Sequence, residues 1–169
     1  EVIEGKYLNM TNTRSLAEAV EGSPGVRVET SCSNCNQQTI QMLGLPQQYI
    51  GLLFDGLPTF STLAGVYGIE QIPAHTIGQV EVVKGGGSVL YGPGAVSGVI
   101  NVIPREPVKT GGSLDTDFRF SHGDSFDTTP GGNIFGMYDY VSDHEELKIS
   151  FYGGYDRIQP VDLNNDRFT

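Results

Sequence analysis

The 169-residue sequence lacks any run of about 18 apolar residues, and this excludes a transmembrane helix. It does not exclude the strands of a β-barrel, which cross a membrane as short alternating segments with a weaker signal. The start at Glu1 has neither a basic n-region nor an apolar h-region, so we expect no signal peptide in this chain.

Positive charge is also scarce, with 10 Lys and Arg against 20 Asp and Glu, for a formal net charge of −10. A phosphate backbone would be repelled, which argues against nucleic acid as a partner, and the same repulsion argues against binding to an anionic membrane surface. Glycine is abundant instead, at 23 residues with 9 prolines, which predicts many tight turns and little long helix.

Nucleotide, metal and nucleophile motifs lack their essential residues. The triple glycine Gly85–Gly87 is not followed by the Lys-Ser/Thr of a phosphate loop, and Leu90 occupies the third glycine position of the dinucleotide pattern. The three histidines are scattered without metal spacing, and Arg167 stands where a calcium loop begun at Asp162 needs glycine. No nucleophile elbow is present. The sequence therefore predicts no enzyme activity, no cofactor and no metal site built on these motifs.

Cys32 and Cys35 form a C-x-x-C flanked by serine and asparagine, which favour a loop. A thioredoxin-like site would place the pair at the start of a helix. A local disulfide is the default in an oxidising compartment. A soft-metal site completed by Met42 or a histidine, and free thiols, are the alternatives.

The first two thirds of the sequence read as short strands and helices separated by turns. A helix over 14–21, capped by Thr11 or Thr13, would share Leu16, Ala17 and Val20 on one face and end at Gly22. Asp55-Gly56 is a turn signal between a strand and a long loop. The remaining predictions are strands at 26–30, 39–43, 49–54, 80–83 and 99–103, loops at 31–38 and 57–68, a helical stretch at 69–77 broken by Pro73, and a helical turn at Ser88–Tyr91.

After Pro107 the pattern changes to strict two-residue alternation. Leu114, Thr116, Phe118 and Phe120 would face one way and the polar residues between them the other. A loop at 122–132, a strand at 133–141, an acidic turn at 142–146 and a strand at 147–158 follow. Strands of about 9–12 residues can cross a bilayer at a tilt, although a soluble antiparallel meander with one buried face has the same pattern. Three strands cannot close a barrel.

Several spaced blocks resemble the plug domain of TonB-dependent receptors. They are Ser23-Pro-Gly-Val-Arg-Val, Leu53-Phe-Asp-Gly-Leu-Pro, Val80-Glu-Val-Val-Lys-Gly and Leu90-Tyr-Gly-Pro-Gly-Ala-Val-Ser-Gly-Val-Ile-Asn-Val-Ile. The motif residues that carry the resemblance are Gly44, Asp55, Gly56, Glu81, Lys84, Gly85, Tyr91, Gly92 and Asn101. Two positions depart from the family pattern. Leu43 stands where arginine is usual, which removes the cation expected beside a carboxylate such as Glu81, and Lys84 replaces a common arginine.

The resemblance implies an α+β plug domain over 1–107, followed over 108–169 by the first three antiparallel strands of a transmembrane β-barrel. It implies an outer-membrane transporter of a Gram-negative bacterium that gates uptake of a scarce small-molecule nutrient. A siderophore, cobalamin, haem, a metal complex and an oligosaccharide are all compatible. The implied partners are TonB, through a segment preceding Glu1, the rest of the barrel, and outer-membrane lipid. The C-x-x-C resembles a Bacteroidetes-type, cobalamin-receptor-like subset.

Two polar loops are the candidates for ligand contact, since small-molecule sites combine aromatic and polar groups. A Cys32–Cys35 disulfide would stiffen the first loop. The candidate ligand residues are Asn34, Gln37, Phe60 and Tyr67. Two other classes remain open, a soluble β-rich ligand-binding or adhesion domain and a redox module built on the cysteine pair.

Overall fold

The computed structural model describes residues 1–11, 13–32, 37–58, 72–86, 88–92, 94–122, 128–142 and 147–157. The chain divides into two compact units, residues 1–105 and 106–169. No helix in the described ranges combines the length and the apolarity needed to cross a membrane.

The first unit combines short helices with two small sheets. Two 3₁₀ turns, Gln47–Tyr49 and Ala74–Thr76, precede strands. In chain order the elements are β1 (Val2–Glu4), α1 (Gly5–Met10), α2 (Leu16–Glu21), β2 (Val26–Cys32), β3 (Gln37–Met42), β4 (Leu45–Pro46), β5 (Ile50–Phe54), β6 (Leu57–Pro58), β7 (Ile77–Lys84), α3 (Ser88–Tyr91) and β8 (Gly98–Pro104).

The larger sheet has five strands in the order β1-β7-β8-β5-β6, and only the β5–β8 pair is parallel. The second sheet is the antiparallel meander β2-β3-β4. Apolar residues alternate along β7 and β8, so that Val80 lies opposite Val102 and Val82 opposite Ile100 on one face. All four side chains are fully buried.

Helix α2 and strand β3 supply much of the core that covers this face. Leu16, Ala17 and Val20 are fully buried, which confirms the predicted apolar face of the helix. Ile40 and Met42 of β3 join the same cluster. Burial of a large aliphatic side chain contributes about 1.5–3 kcal/mol, so the packing of this helix and sheet stabilises the unit.

The start of the predicted helix was wrong by two residues. Ser15 has extended dihedral angles and its hydroxyl accepts a hydrogen bond from the Glu18 N–H at 3.4 Å, so Ser15 caps α2 rather than Thr11 or Thr13. Thr11 instead follows the last residue of α1, a helix that the sequence did not predict. Its N-cap is Glu4, which makes no side-chain cap hydrogen bond, so the usual start signal is missing.

Strand β3 differs from its prediction at both ends. It begins at Gln37, so part of the predicted 31–38 loop is strand, and it ends before Leu43. Leu43 and Gly44 have φ values of 53° and 78° and form a two-residue turn that pairs Met42 with Leu45. Two consecutive positive φ values are typical of a type I′ hairpin turn, which leucine rarely occupies.

The predicted helical stretch at 69–77 is described from residue 72. There Pro73 precedes the 3₁₀ turn Ala74–Thr76, and β7 begins at Ile77. The predicted loop at 57–68 starts later than expected, because Leu57–Pro58 form β6. The rest of that loop lies outside the described residues.

The second unit is an antiparallel sheet of β9 (Gly111–His122), β10 (Thr128–Val141) and β11 (Lys148–Arg157), in the order β11-β10-β9. Strand β9 ends at His122 and strand β10 begins at Thr128, so both ends of the predicted loop at 122–132 are strand, and residues 123–127 lie outside the described residues. A mixed α+β unit followed by antiparallel strands confirms the predicted fold class. One face of the sheet carries exposed apolar and aromatic side chains, namely Leu114, Ile134, Tyr138, Tyr140, Phe151 and Tyr155.

Candidate functional site

Four motif residues meet in one hydrogen-bonded group at the end of β5. Asp55 and Gly56 form the two-residue turn between β5 and β6, with φ values of 50° and 77°. Aspartate and glycine tolerate this left-handed backbone, which explains the choice of residues. The Asp55 N–H donates to the carbonyl of Val102 at 2.8 Å and ties the turn to β8.

Asn101 lies at the centre of the group, opposite Glu81 of β7 and opposite Leu53 of β5. Its Oδ1 accepts a hydrogen bond from the Gly56 N–H at 2.9 Å, and its Nδ2 donates to Glu81 Oε2 at 2.9 Å. Gln79 Nε2 donates to the other carboxylate oxygen of Glu81 at 3.0 Å. Both ends of the asparagine amide are therefore used, and the Glu81 carboxylate is satisfied by two neutral amides.

Lys84 connects a different pair of strands. Its Nζ lies 2.8 Å from Glu1 Oε2, beside the antiparallel pairing of β1 with β7. The hydrogen bond and the positive charge of Lys84 lower the pKa of the Glu1 carboxyl below its usual value. The Val82 N–H also donates to the Glu1 carbonyl at 2.8 Å. This ion pair and backbone bond hold the first strand at the edge of the sheet.

Gly44, Gly85 and Gly92 provide turns. Their φ values of 78°, 77° and 93° lie in the left-handed region that favours glycine. The Gly85 N–H donates to the Ser97 carbonyl at 2.7 Å, which closes the connection between β7 and β8. Tyr91 ends α3 and is exposed. These residues shape the backbone around the hydrogen-bonded group, and the structure does not bring Tyr91 into that group.

The sequence did not single out Gln79, Ser97 or Gly98. Gln79 occupies a polar position of the alternation along β7, and this was the available signal. Ser97 donates through both its N–H and its hydroxyl to the Tyr49 carbonyl, at 2.9 and 2.8 Å. Gly98 has a φ of 147°, a backbone angle that residues with a side chain rarely adopt.

Most of the candidate ligand residues, and one of the two cysteines, lie outside the residues that the structure describes. Asn34, Cys35, Phe60 and Tyr67 lie outside the described residues. Gln37 begins β3 and Cys32 ends β2, where the structure describes the backbone alone. The ligand contacts and the state of the cysteines therefore stay predictions. Among the described residues, no group of three or more His, Cys, Asp or Glu could hold a metal ion.

A family model supports the class of protein that this motif defines. The model described as "TonB-dependent Receptor Plug Domain" matches residues 1–99. The chain therefore belongs to the plug-domain family of TonB-dependent receptors, proteins of the Gram-negative outer membrane.

Curated relatives come from the same class of receptor. The chain is 32% identical over 113 residues to the vitamin B12 transporter BtuB of Vibrio vulnificus (strain CMCP6), with 67% of the chain and 18% of the relative covered. It is 26% identical over 122 residues to a ferric enterobactin receptor of Pseudomonas aeruginosa, with 64% of the chain and 16% of that protein covered.

Solved structures share the fold. The siderophore receptor PirA from Acinetobacter baumannii superposes with a TM-score of 0.71 at 23% identity, covering 92% of this chain and 24% of that one. The ferric yersiniabactin uptake receptor FyuA from Yersinia pestis gives a TM-score of 0.55 at 19% identity, covering 82% of this chain and 28% of that one. The chain therefore spans less than a third of the length of each of these relatives and structures.

Proposed function

We propose that this chain belongs to an outer-membrane active transporter, in which residues 1–107 plug a barrel and residues 108–169 form its first three wall strands. The observation that carries the proposal is the combination of a plug fold with a following sheet that has one exposed apolar face. A soluble domain of this size rarely exposes such a face.

The dimensions of the second unit suit a barrel wall. Its strands have 12, 14 and 10 residues, and about 9–11 tilted residues cross a bilayer. Leu114 and Phe151 on the apolar face are 71% and 63% exposed, which is costly in water and favourable in lipid. The opposite face carries polar residues such as Asp115 and Ser150, as a barrel lumen requires.

The transported nutrient is proposed to be a metal chelate, with cobalamin as the first compound to test. Of the two curated relatives described above, the vitamin B12 transporter has the higher identity and the other is a ferric enterobactin receptor. Asn34, Gln37, Phe60 and Tyr67 are the proposed ligand contacts, because together they offer the aromatic and polar groups that small-molecule sites combine.

TonB is the proposed source of energy, acting through a segment that precedes Glu1. Strand β1 directly follows Glu1, so it would be the first part of the plug to receive a pull. It is an edge strand and is paired with β7 over three residues. The plug must rearrange for a ligand to pass, so uptake should depend on TonB while ligand binding should not.

Binding and uptake by the full-length receptor test the proposal. The purified receptor in detergent is expected to bind cyanocobalamin, and cells that produce it should accumulate the compound only when TonB is present. If the receptor binds ferric enterobactin instead, the proposal of a transporter stands and the proposed nutrient is wrong. A full-length protein that stays soluble without detergent would contradict the transporter and favour the soluble adhesion or ligand-binding domain.

A further inference from the structure

The side chain of Asn101 joins two segments that are distant in sequence. It accepts from Gly56, 45 positions earlier, and donates to Glu81, 20 positions earlier. These bonds cross three neighbouring strands of one sheet, because Asn101 lies between Leu53 of β5 and Glu81 of β7. An amide that is engaged at both ends has one orientation, so it sets the distance between the turn and β7.

We propose that Asn101 is a positioning residue: it fixes the Asp55–Gly56 turn against Glu81 and thereby sets where the β5–β6 hairpin lies up to its last described residue, Pro58. The inference rests on the proposed function only where it assigns ligand contact to the segment after Pro58, which includes Phe60 and Tyr67.

The weak pairing of β6 gives this anchor its importance. Strand β6 pairs with β5 through two residue pairs, Leu53 with Pro58 and Phe54 with Leu57. Pro58 has no N–H to donate, and the Asp55–Gly56 turn is exposed. Beyond the two β5–β6 residue pairs, two hydrogen bonds therefore hold this turn to β8: the backbone bond from the Asp55 N–H to the Val102 carbonyl, and the side-chain bond from the Gly56 N–H to Asn101.

The same geometry links the turn to the first strand. Glu81, which receives the other end of the amide, lies opposite Val2 of β1. A displacement of the Asp55–Gly56 turn would pull on Asn101 and, through Glu81, on β7, the strand with which β1 pairs. The polar group thus connects the β5–β6 turn with β7, the strand on which the N-terminal strand β1 pairs.

Exchanging the two functional groups tests the role. Asn101→Asp keeps an acceptor for Gly56 but faces Glu81 with a like charge. Glu81→Gln can keep the bond from the Asn101 Nδ2, because the introduced amide can turn its oxygen towards Asn101 and its nitrogen towards Gln79, whose own amide can turn to accept. The double variant Asn101→Asp/Glu81→Gln restores every bond, since the introduced amide accepts from Gln79 and donates to the introduced carboxylate.

The readout is hydrogen–deuterium exchange of the full-length, ligand-free receptor, compared between peptides that span the 53–58 turn and the 99–103 strand. Asn101→Asp should exchange about fivefold faster at the turn, with little change in β8, whereas Glu81→Gln should stay within about twofold of the parent and the double variant should return to within about twofold of it. Gln79→Met is the matched control, because it removes a bond from the same polar group without touching the Asn101 amide, and it should leave the turn unchanged.

Two results would overturn the proposal: no recovery in the double variant, or equal acceleration in the turn and in β8, which would indicate a general loss of stability. Cyanocobalamin binding gives a separate readout. If exchange at the turn follows the swap and no variant or parent binds the compound, the positioning role stands and the proposed nutrient fails.

Discussion

Gly98→Ala is expected to destabilise the plug strongly, because there is no room for a methyl group at this position. Gly98 opens β8 and has a φ of 147°. A Cβ there would collide with the Val83 carbonyl oxygen and would lie 2.5 Å from Met42 Sδ. The carbonyl belongs to the backbone of β7, and Met42 is fully buried in the core, so neither can move aside without disturbing the sheet.

The expected cost has two parts. A backbone conformation that side chains rarely adopt costs about 1–3 kcal/mol, and overpacking of a well-packed site costs about 1–3 kcal/mol. Together they give a loss of about 4 kcal/mol. The free energy of unfolding of a whole domain is about 5–15 kcal/mol, so this single methyl group would remove a large share of it.

Urea unfolding of the plug within the full-length receptor measures the effect. Ala74→Cys places a thiol at a buried position, in a background with both native cysteines changed to serine, and labelling of that thiol reports opening of the core. At an m-value of about 1.5 kcal/mol/M, Gly98→Ala should lower the midpoint by about 2–3 M.

The matched control is Gly22→Ala. Gly22 has a right-handed φ of −74°, and an added Cβ meets nothing within 4 Å. The same chemical change should therefore be neutral or slightly stabilising there. If the midpoints of the two variants agree within about 0.5 M, the close approach of β8 to β7 at Gly98 is not as tight as described and the reasoning fails.

Three further outcomes are expected. Ser15→Ala should cost about 0.5–1 kcal/mol in the same urea assay, since it removes the cap of α2, and an unchanged midpoint would argue against the cap. The pKa of Glu1 is lowered in the folded protein, so its ion pair with Lys84 stabilises β1 at pH values above the unfolded pKa and is lost as the pH falls through the folded pKa. Hydrogen exchange of the Val82 amide, corrected for intrinsic rates, should therefore become faster in acid. Glu1→Gln should abolish that pH dependence. Replacing Cys32 and Cys35 by serine should weaken ligand affinity without unfolding the plug, and unchanged affinity would contradict the proposed stiffening disulfide.

The elements that the sequence predicted are those with strong local signals. The alternation of apolar and polar residues in β7 predicts the buried face of Val80 and Val82. The Asp55-Gly56 pair predicts a turn, which the structure places between β5 and β6. Helix α1 has no capping residue, and Leu43 is not a turn residue, so both were missed because tertiary packing decides them. The parallel pairing of β5 with β8 is likewise a long-range feature, and with it the contact between Gly56 and Asn101 could not be read from local pattern.

The Glu81 carboxylate is satisfied although leucine stands at position 43. The family resemblance places an arginine there, and its loss would leave a carboxylate such as Glu81 without a cation. Here Glu81 receives one hydrogen bond from Asn101 and one from Gln79, so the carboxylate is satisfied within the sheet.

Leu43 is thereby released from any electrostatic role, and it lies 55% exposed in a left-handed turn. That conformation costs about 1–2 kcal/mol, which the hydrogen bond from the Leu43 N–H to the Gly25 carbonyl at 2.8 Å helps to offset. In this chain the hydrogen bonds of Glu81 run to Asn101 on the neighbouring strand β8 and to Gln79 on its own strand, so the turn that carries Leu43 can change without unpairing the carboxylate.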